Sequence, residues 1–277
     1  NMKNIGYFVA VAVATFALSN AQAVELVAEW TDFTGLTTDT PLKPTRGVEA
    51  GNDGVWTLSL NGGSVQDGAL FTGTGAAPAI NFNGEQHQIG GTGLGFFTVV
   101  VKIEPSTSFV ANKPIWMFHE AGSGANGQGI ALTAASQIRG IWGNAIWDNN
   151  EFAATDIDFT TPSIVVTTCG GSGTAVYWNG TSVRTAGSLK GGTMGDGNSL
   201  IYFGNTHGAT EGGNNFKISR IAVFNGILSK YLVENDPWME NTVSINVANG
   251  QTYNVPASPT SAYDVQVAAG GTLQFEA

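Results

Sequence analysis

The chain has 277 residues, a formal net charge of −10, only 12% charged residues, 38 glycines and one cysteine. The acid excess, with no cluster of Lys and Arg, argues against a nucleic-acid partner, because phosphate-backbone binding draws on such clusters. The lone Cys169 excludes an internal disulfide, and so few charges leave little material for long amphipathic helices.

In chain order, Lys3 precedes an acid-free apolar run, 5–18, and then Ser19, Asn20, Ala21, Gln22 and Ala23, a small-residue A-x-A pattern. This reads as a secretory signal peptide, 1–23, cut after Ala23. Its apolar core falls short of the roughly 18 to 20 residues that spanning a bilayer needs, so a membrane anchor is the weaker reading. No later run matches it, and the mature chain is expected to be secreted or cell-surface, with no membrane span.

Short strands are expected next at 24–30, 55–60, 96–103, 114–118, 129–132, 138–142, 163–168, 174–178, 200–203 and 216–224. There aromatic and β-branched runs are cut by Gly, Asn and Ser. In 96–103, Phe97, Val99, Val101 and Ile103 share one face while Thr98 and Lys102 take the other, the period of a half-buried strand; Ile164 and Val166 repeat it. Burying four such side chains is worth roughly 6–12 kcal/mol before ordering entropy is subtracted, so two sheets must face each other. Cys169, beside the strand at 163–168, reads as a small buried or edge residue rather than a reactive thiol.

Asn179 and Gly180 separate two of these runs and suit the positive φ angles of a two-residue type I′ hairpin, a local signal for antiparallel pairing. One segment, 229–235, reads as a helix, with Ser229 as its cap and Asp236-Pro237 as its stop. Many strands and one short terminal helix make an all-β jelly-roll or related sandwich.

These elements resemble the laminin-G-like branch of the concanavalin A-like lectin and glucanase superfamily. The likeness rests on 98–103, on 163–180 ending in Tyr177-Trp178-Asn179-Gly180, on 200–205, and on 216–229 with Ile218, Ile221, Val223, Asn225, Leu228 and Ser229. It covers 24–240 and implies a jelly-roll sandwich of two antiparallel sheets, with strand 24–30 beside strand 216–224. Ile218 and Ile221 differ in parity, so both reach the core only if a bulge lies between them. Ser219 stands where many relatives carry an acid, which argues against a metal or ligand role there. The resemblance also implies calcium near the chain ends. Asp32 and Asp53 could supply oxygens, but no Asp-x-Asp-x-Asp-Gly loop is present and each reads better as a turn former, so the metal stays unknown.

The same superfamily hosts glucanases, whose acids alternate on one strand about 5 Å apart. Glu234, Asp236 and Glu240 are spaced too widely and enclose a proline; Glu151, Asp156 and Asp158 read as a solvated loop. His87, His119 and His207 are scattered, and neither G-x-S-x-G nor H-E-x-x-H occurs. No catalytic residue is assigned.

Recognition is the stronger expectation. The run Trp142, Gly143, Asn144, Ala145, Ile146, Trp147, Asp148, Asn149, Asn150 and Glu151 combines aromatic platforms with directional polar groups, the pairing a sugar ring needs. Trp142, Trp147, Asp148, Asn149 and Asn150 are the ligand-binding candidates there, against a reading in which both tryptophans fill the core. The loop at 205–215 adds Asn205, His207, Glu211 and Asn214, with Asn215 beside them. After Glu240 the texture changes to short strands at 243–247, 252–255, 263–267 and 272–275. The ending from Ala268 resembles the first rung of a repetitive β-solenoid of exported bacterial surface proteins, making 241–277 a β-rich extension. The expected function is a carbohydrate-binding or adhesive module with a glycan or surface-protein partner. A structural or protein-binding domain and a glycoside hydrolase or lyase are the alternatives.

Overall fold

A computed structural model describes residues 25–47, 50, 56–73, 75–81, 97–105, 113–120, 127–134, 137–142, 161–170, 173–187, 199–205, 213–228, 230–235, 243–247, 249–255, 263–267 and 269–275. The first half of the chain gives β1 (Glu25–Trp30), β2 (Thr57–Ser59), β3 (Ser64–Gln66), β4 (Ala69–Phe71), β5 (Ala79–Asn81), β6 (Phe97–Pro105), β7 (Lys113–Glu120), β8 (Gly127–Ala134) and β9 (Gln137–Trp142). The second gives β10 (Ser163–Gly170), β11 (Gly173–Trp178), β12 (Thr181–Gly187), β13 (Ser199–Phe203), β14 (Phe216–Asn225), helix α1 (Lys230–Asn235), β15 (Val243–Val247), β16 (Thr252–Val255), β17 (Tyr263–Val267) and β18 (Thr272–Phe275).

Two antiparallel sheets form a jelly-roll-like sandwich. The larger runs β12-β11-β10-β6-β14-β4-β3 with β1 also on β14; the second runs β2-β5-β13-β7-β8-β9. Between them, Phe97, Val99, Val101 and Ile103 of β6 meet Ile80, Trp116, Ile130, Ile201 and Phe203 in one apolar cluster. The alternation read in 96–103 therefore marks the inner face.

The outer face departs from that reading. Val100, Ile164, Val166, Ala222 and Phe224 are also buried, packed with Leu228 and Val233 of the segment that follows β14. Ile164 and Val166 lie on this outer face, and Val165 faces the core between the sheets. Thr98 is buried as well, its hydroxyl donating to the Gly226 carbonyl at 2.9 Å and accepting from the Leu228 N–H at 3.1 Å. The central strands are thus covered on both sides because the chain folds back over the sheet after β14. The period of a single strand cannot report a cover supplied by a distant segment.

The local turn and bulge readings match the structure. Asn179 and Gly180 carry φ angles of 50° and 78° between Trp178 and its partner Thr181. The register of β14 on β6 shifts between Ile218 and Arg220, which brings Ile218 and Ile221 into the same core and leaves Ser219 exposed. β1 lies antiparallel on β14, from Glu25↔Asn225 to Trp30↔Ile221. β3, β4 and β5 had no counterpart in the sequence reading; three residues are too few to show a period. Strands β15 to β18 coincide with the four segments expected after Glu240, and they pair in parallel, β15 with β17 and β16 with β18. Ser229, the expected cap of α1, lies outside the described residues.

Candidate functional site

The best-defined polar assembly sits where β13 leaves the six-stranded sheet and β14 enters the other one. Gly204 has φ +83°, and a Cβ there would meet Thr72 Oγ1 at 2.5 Å and the Asn214 carbonyl at 2.7 Å, so glycine lets the chain close at this point. Asn214 N–H donates to the Gly204 carbonyl at 2.9 Å, and Gly204 N–H to the Ile115 carbonyl at 3.2 Å. Thr72 joins the two sides. Its hydroxyl donates to the Asn214 carbonyl at 2.8 Å and accepts from the Phe216 N–H at 2.9 Å.

Side-chain amides complete the clamp. Asn205 Nδ2 donates to the Gly75 carbonyl at 2.8 Å while its Oδ1 accepts from Lys113 Nζ at 3.1 Å. Asn215 Oδ1 accepts from the Gly73 N–H at 3.0 Å. Residues 205, 214 and 215, on either side of 206–212, are thereby tied to Thr72, Gly73 and Gly75. Of the four ligand candidates here, Asn205 and Asn214 are brought together but are 1% and 2% exposed, with Asn205 engaged at both ends of its amide. His207 and Glu211 lie outside the described residues. Thr72 and Lys113, which the sequence reading did not weigh, carry the clamp; nothing in the sequence ties position 72 to 214.

The second group of candidates begins at the other end of the same sheet. Ile201 pairs with Phe118, Phe118 with Gln128, and Gln128 with Trp142. Trp142 therefore ends β9, the edge strand of the six-stranded sheet. The chain leaves β9 toward the end where β13 starts at Ser199, whereas the Asn205 clamp lies past Phe203. Trp142 and the Asn205 clamp thus lie at opposite ends of this sheet. Trp147, Asp148, Asn149 and Asn150 lie outside the described residues, as do Glu151, Asp156, Asp158, His87, Asp236 and Glu240. Glu234 is described on α1, 3.6 Å from Lys230 Nζ in an exposed ion pair one turn apart.

Asp32 takes the turn-forming role. Its Oδ1 accepts from the Thr34 N–H at 2.8 Å, and hydrogen bonds from the Thr34 hydroxyl and backbone hold its carboxyl below the usual carboxylate range. Asp53 lies outside the described residues. Among the described residues no three His, Cys, Asp or Glu side chains are grouped to hold a metal ion, and no helix is long and apolar enough to cross a membrane.

A buried acid was also missed by the sequence reading. Glu29 of β1 is shielded from solvent, and its Oε1 accepts from Arg220 Nε at 2.7 Å with Nη2 at 2.6 Å. Arg46 Nη1 lies 3.2 Å from Oε2, an ionic contact without hydrogen-bond alignment. This cluster joins β1 to β14.

No family model matches the chain, and no curated protein is significantly similar to it. Among solved structures, a Trypanosoma rangeli sialidase carrying 2,3-difluorosialic acid as a covalent intermediate superposes with a TM-score of 0.57 and 14% identity. The match covers 78% of this chain and 33% of that one, so the chain spans about a third of the sialidase. Domain 4 of AbnA, a GH43 extracellular arabinanase from Geobacillus stearothermophilus solved with arabinotriose, matches with a TM-score of 0.50 and 13% identity, over 77% of this chain and 98% of that one. Botulinum neurotoxin type C, whose cell entry depends on two ganglioside molecules, matches with a TM-score of 0.53 and 11% identity, over 80% of this chain and 53% of its own. These likenesses establish a shared all-β fold.

Proposed function

We propose that this chain is a laminin-G-like sandwich that serves, outside the cell, as a carbohydrate-binding module. The observation that carries the reading is the likeness to the arabinanase domain, because nearly all of that chain is matched and it was solved with a bound trisaccharide. The sialidase and toxin likenesses support the same class, the first solved with a sialic acid derivative and the second a protein whose cell entry depends on gangliosides. The net charge of −10 favours a neutral glycan over a sialylated one, since like charge lowers the encounter rate.

The recognition groups are assigned to the two segments that follow β9 and β13 in the sequence, 143–150 and 206–212. Trp147 is the stacking platform, with Asp148, Asn149 and Asn150 as directional partners; His207 and Glu211 act from the second segment. Asn205 and Asn214, buried and hydrogen-bonded, belong to the scaffold on either side of that segment. The chemistry asked of the site is stacking on C–H faces and hydrogen bonding to hydroxyls, with no bond made or broken.

Calorimetric titration with arabinotriose and with sialyllactose, with and without calcium, tests the reading. Binding of the neutral sugar, reduced at least tenfold by Trp147→Ala with an unchanged far-UV spectrum, is the expected outcome; tenfold corresponds to about 1.4 kcal/mol. A glycan array on which nothing binds would remove the proposal in favour of a protein-binding surface domain. Release of reducing ends from polysaccharide, lost in Glu151→Gln or Asp156→Asn, would favour the hydrolase alternative.

A further inference from the structure

Asparagine stands directly before glycine at 61, 83, 126, 179, 225 and 249. In such a pair the glycine nitrogen is well placed to attack the asparagine Cγ, because glycine has no side chain to obstruct the approach. A folded chain prevents the attack by holding the carboxamide in hydrogen bonds of its own, away from that nitrogen. Asn83 and Asn126 lie outside the described residues. Exposure does not separate the rest, since Asn61, Asn179 and Asn249 are all exposed. Their carboxamides do. Asn61 Nδ2 donates to the Ala77 carbonyl at 2.7 Å. Asn179 Oδ1 accepts from the Ile164 N–H at 2.8 Å while its Nδ2 donates to Ser163 Oγ at 3.3 Å. Asn225 ends β14, set between Phe97 of β6 and Glu25 of β1 in the sheet.

Among the described residues the Asn249 carboxamide has no hydrogen-bond partner. It lies against Gly270, where a Cβ would collide with it. The restraint left is on the backbone. Gly250 N–H donates to the Gly270 carbonyl at 3.0 Å, and Thr272 N–H to the Gln251 carbonyl at 2.9 Å, so the turn after β15 is tied to the turn after β17. Gly250 and Gly270 have positive φ, +78° and +85°. Asn249, Gly250, Gln251, Gly270 and Thr272 are all exposed. Hydrogen bonds at such exposed turns open locally at far lower cost than those of the sandwich core.

We propose that Asn249 is a site of spontaneous, irreversible modification, gated by the contact between Gly250 and Gly270. When that contact opens, the Gly250 nitrogen attacks Asn249 Cγ. The new C–N bond closes a succinimide ring, the bond from Cγ to Nδ2 breaks, and ammonia leaves with the proton that the Gly250 nitrogen gives up. Water then adds to either ring carbonyl and yields aspartate or isoaspartate, with no oxidant or reductant required. Isoaspartate carries the main chain through the former side chain, which inserts one more carbon between residues 249 and 250 and leaves a carboxylate at the turn. The Gly250 N–H then no longer meets the Gly270 carbonyl in the original register. The conversion thus follows from opening of the contact and prevents its closure. It is independent of the glycan reading, because no residue of either recognition segment takes part.

Peptide mapping of the full-length chain by mass spectrometry, after incubation at mildly alkaline pH in native buffer and in guanidinium, tests this directly. In the folded chain Asn249 should convert at least tenfold faster than Asn61, Asn179 or Asn225, with the isoaspartate identified by methyl transfer from an isoaspartyl methyltransferase. In guanidinium the four should convert at similar rates, because each is followed by glycine and none keeps its hydrogen bonds. Gly270→Ala removes the room that the Asn249 carboxamide occupies and strains a left-handed turn, so it should speed conversion at 249 and leave 61 and 179 unchanged. Conversion of Asn61 or Asn179 as fast as Asn249 in the folded chain overturns the inference. So does an Asn249 that stays intact in native buffer while the denatured chain converts, or a Gly270→Ala chain that converts no faster than the parent.

Discussion

Thr72 uses one hydroxyl twice, as donor to the Asn214 carbonyl and acceptor from the Phe216 N–H, at a position 1% exposed. Thr72→Val keeps the shape and leaves both buried backbone groups without that partner, so a loss of about 1–3 kcal/mol is expected in a urea melt, with Thr72→Ser close to the parent. Tyr202 makes a pH-dependent statement. Burial pushes its phenol up to about 12, whereas an unfolded tyrosine ionises near 10. The unfolded chain releases this proton first, so the contribution is full below pH 10 and falls as the pH rises through about 12, by up to about 3 kcal/mol. Denaturant midpoints between pH 9 and 12 should fall accordingly, and Tyr202→Phe should flatten the decline. At this scale the sequence showed residue types and not their roles: Asn205 reads as a sugar ligand in a polar loop, yet its amide ties Lys113 to the Gly75 carbonyl.

Between elements, the Glu29 cluster decides how β1 is held. Removing the acid takes from Arg220, 12% exposed at its side chain, the buried carboxylate it meets; Glu29→Ala is expected to cost about 3 kcal/mol by chemical denaturation. Arg46 is 62% exposed at its side chain, and Arg46→Ala should cost no more than about 1 kcal/mol. Parity made the β14 bulge legible, because two core-type residues three apart cannot share a face of a regular strand. Asn179 and Gly180 were legible because positive φ is a local property of those two residues. Glu29 was not legible as a partner of Arg220, because the contact spans most of the chain and an isolated acid in a strand looks solvated.

Across the whole molecule, the arrangement separates three things that the sequence lists one after another. The Asn205 clamp and the exit of β9 at Trp142 fall at opposite ends of one sheet, and the two parallel strand pairs belong to neither sheet. The sequence by itself determined the all-β class, the inner face of β6, the hairpin, the bulge and the four C-terminal strands, since each follows from backbone preference or side-chain alternation over a few residues. Only the tertiary structure decided that β6 and β10 are buried on both faces, that Asn205 and Asn214 serve as posts, and that the terminal strands pair in parallel at a 20-residue step. Those facts depend on which distant segment comes to lie against each residue, and neither alternation nor local propensity encodes that choice.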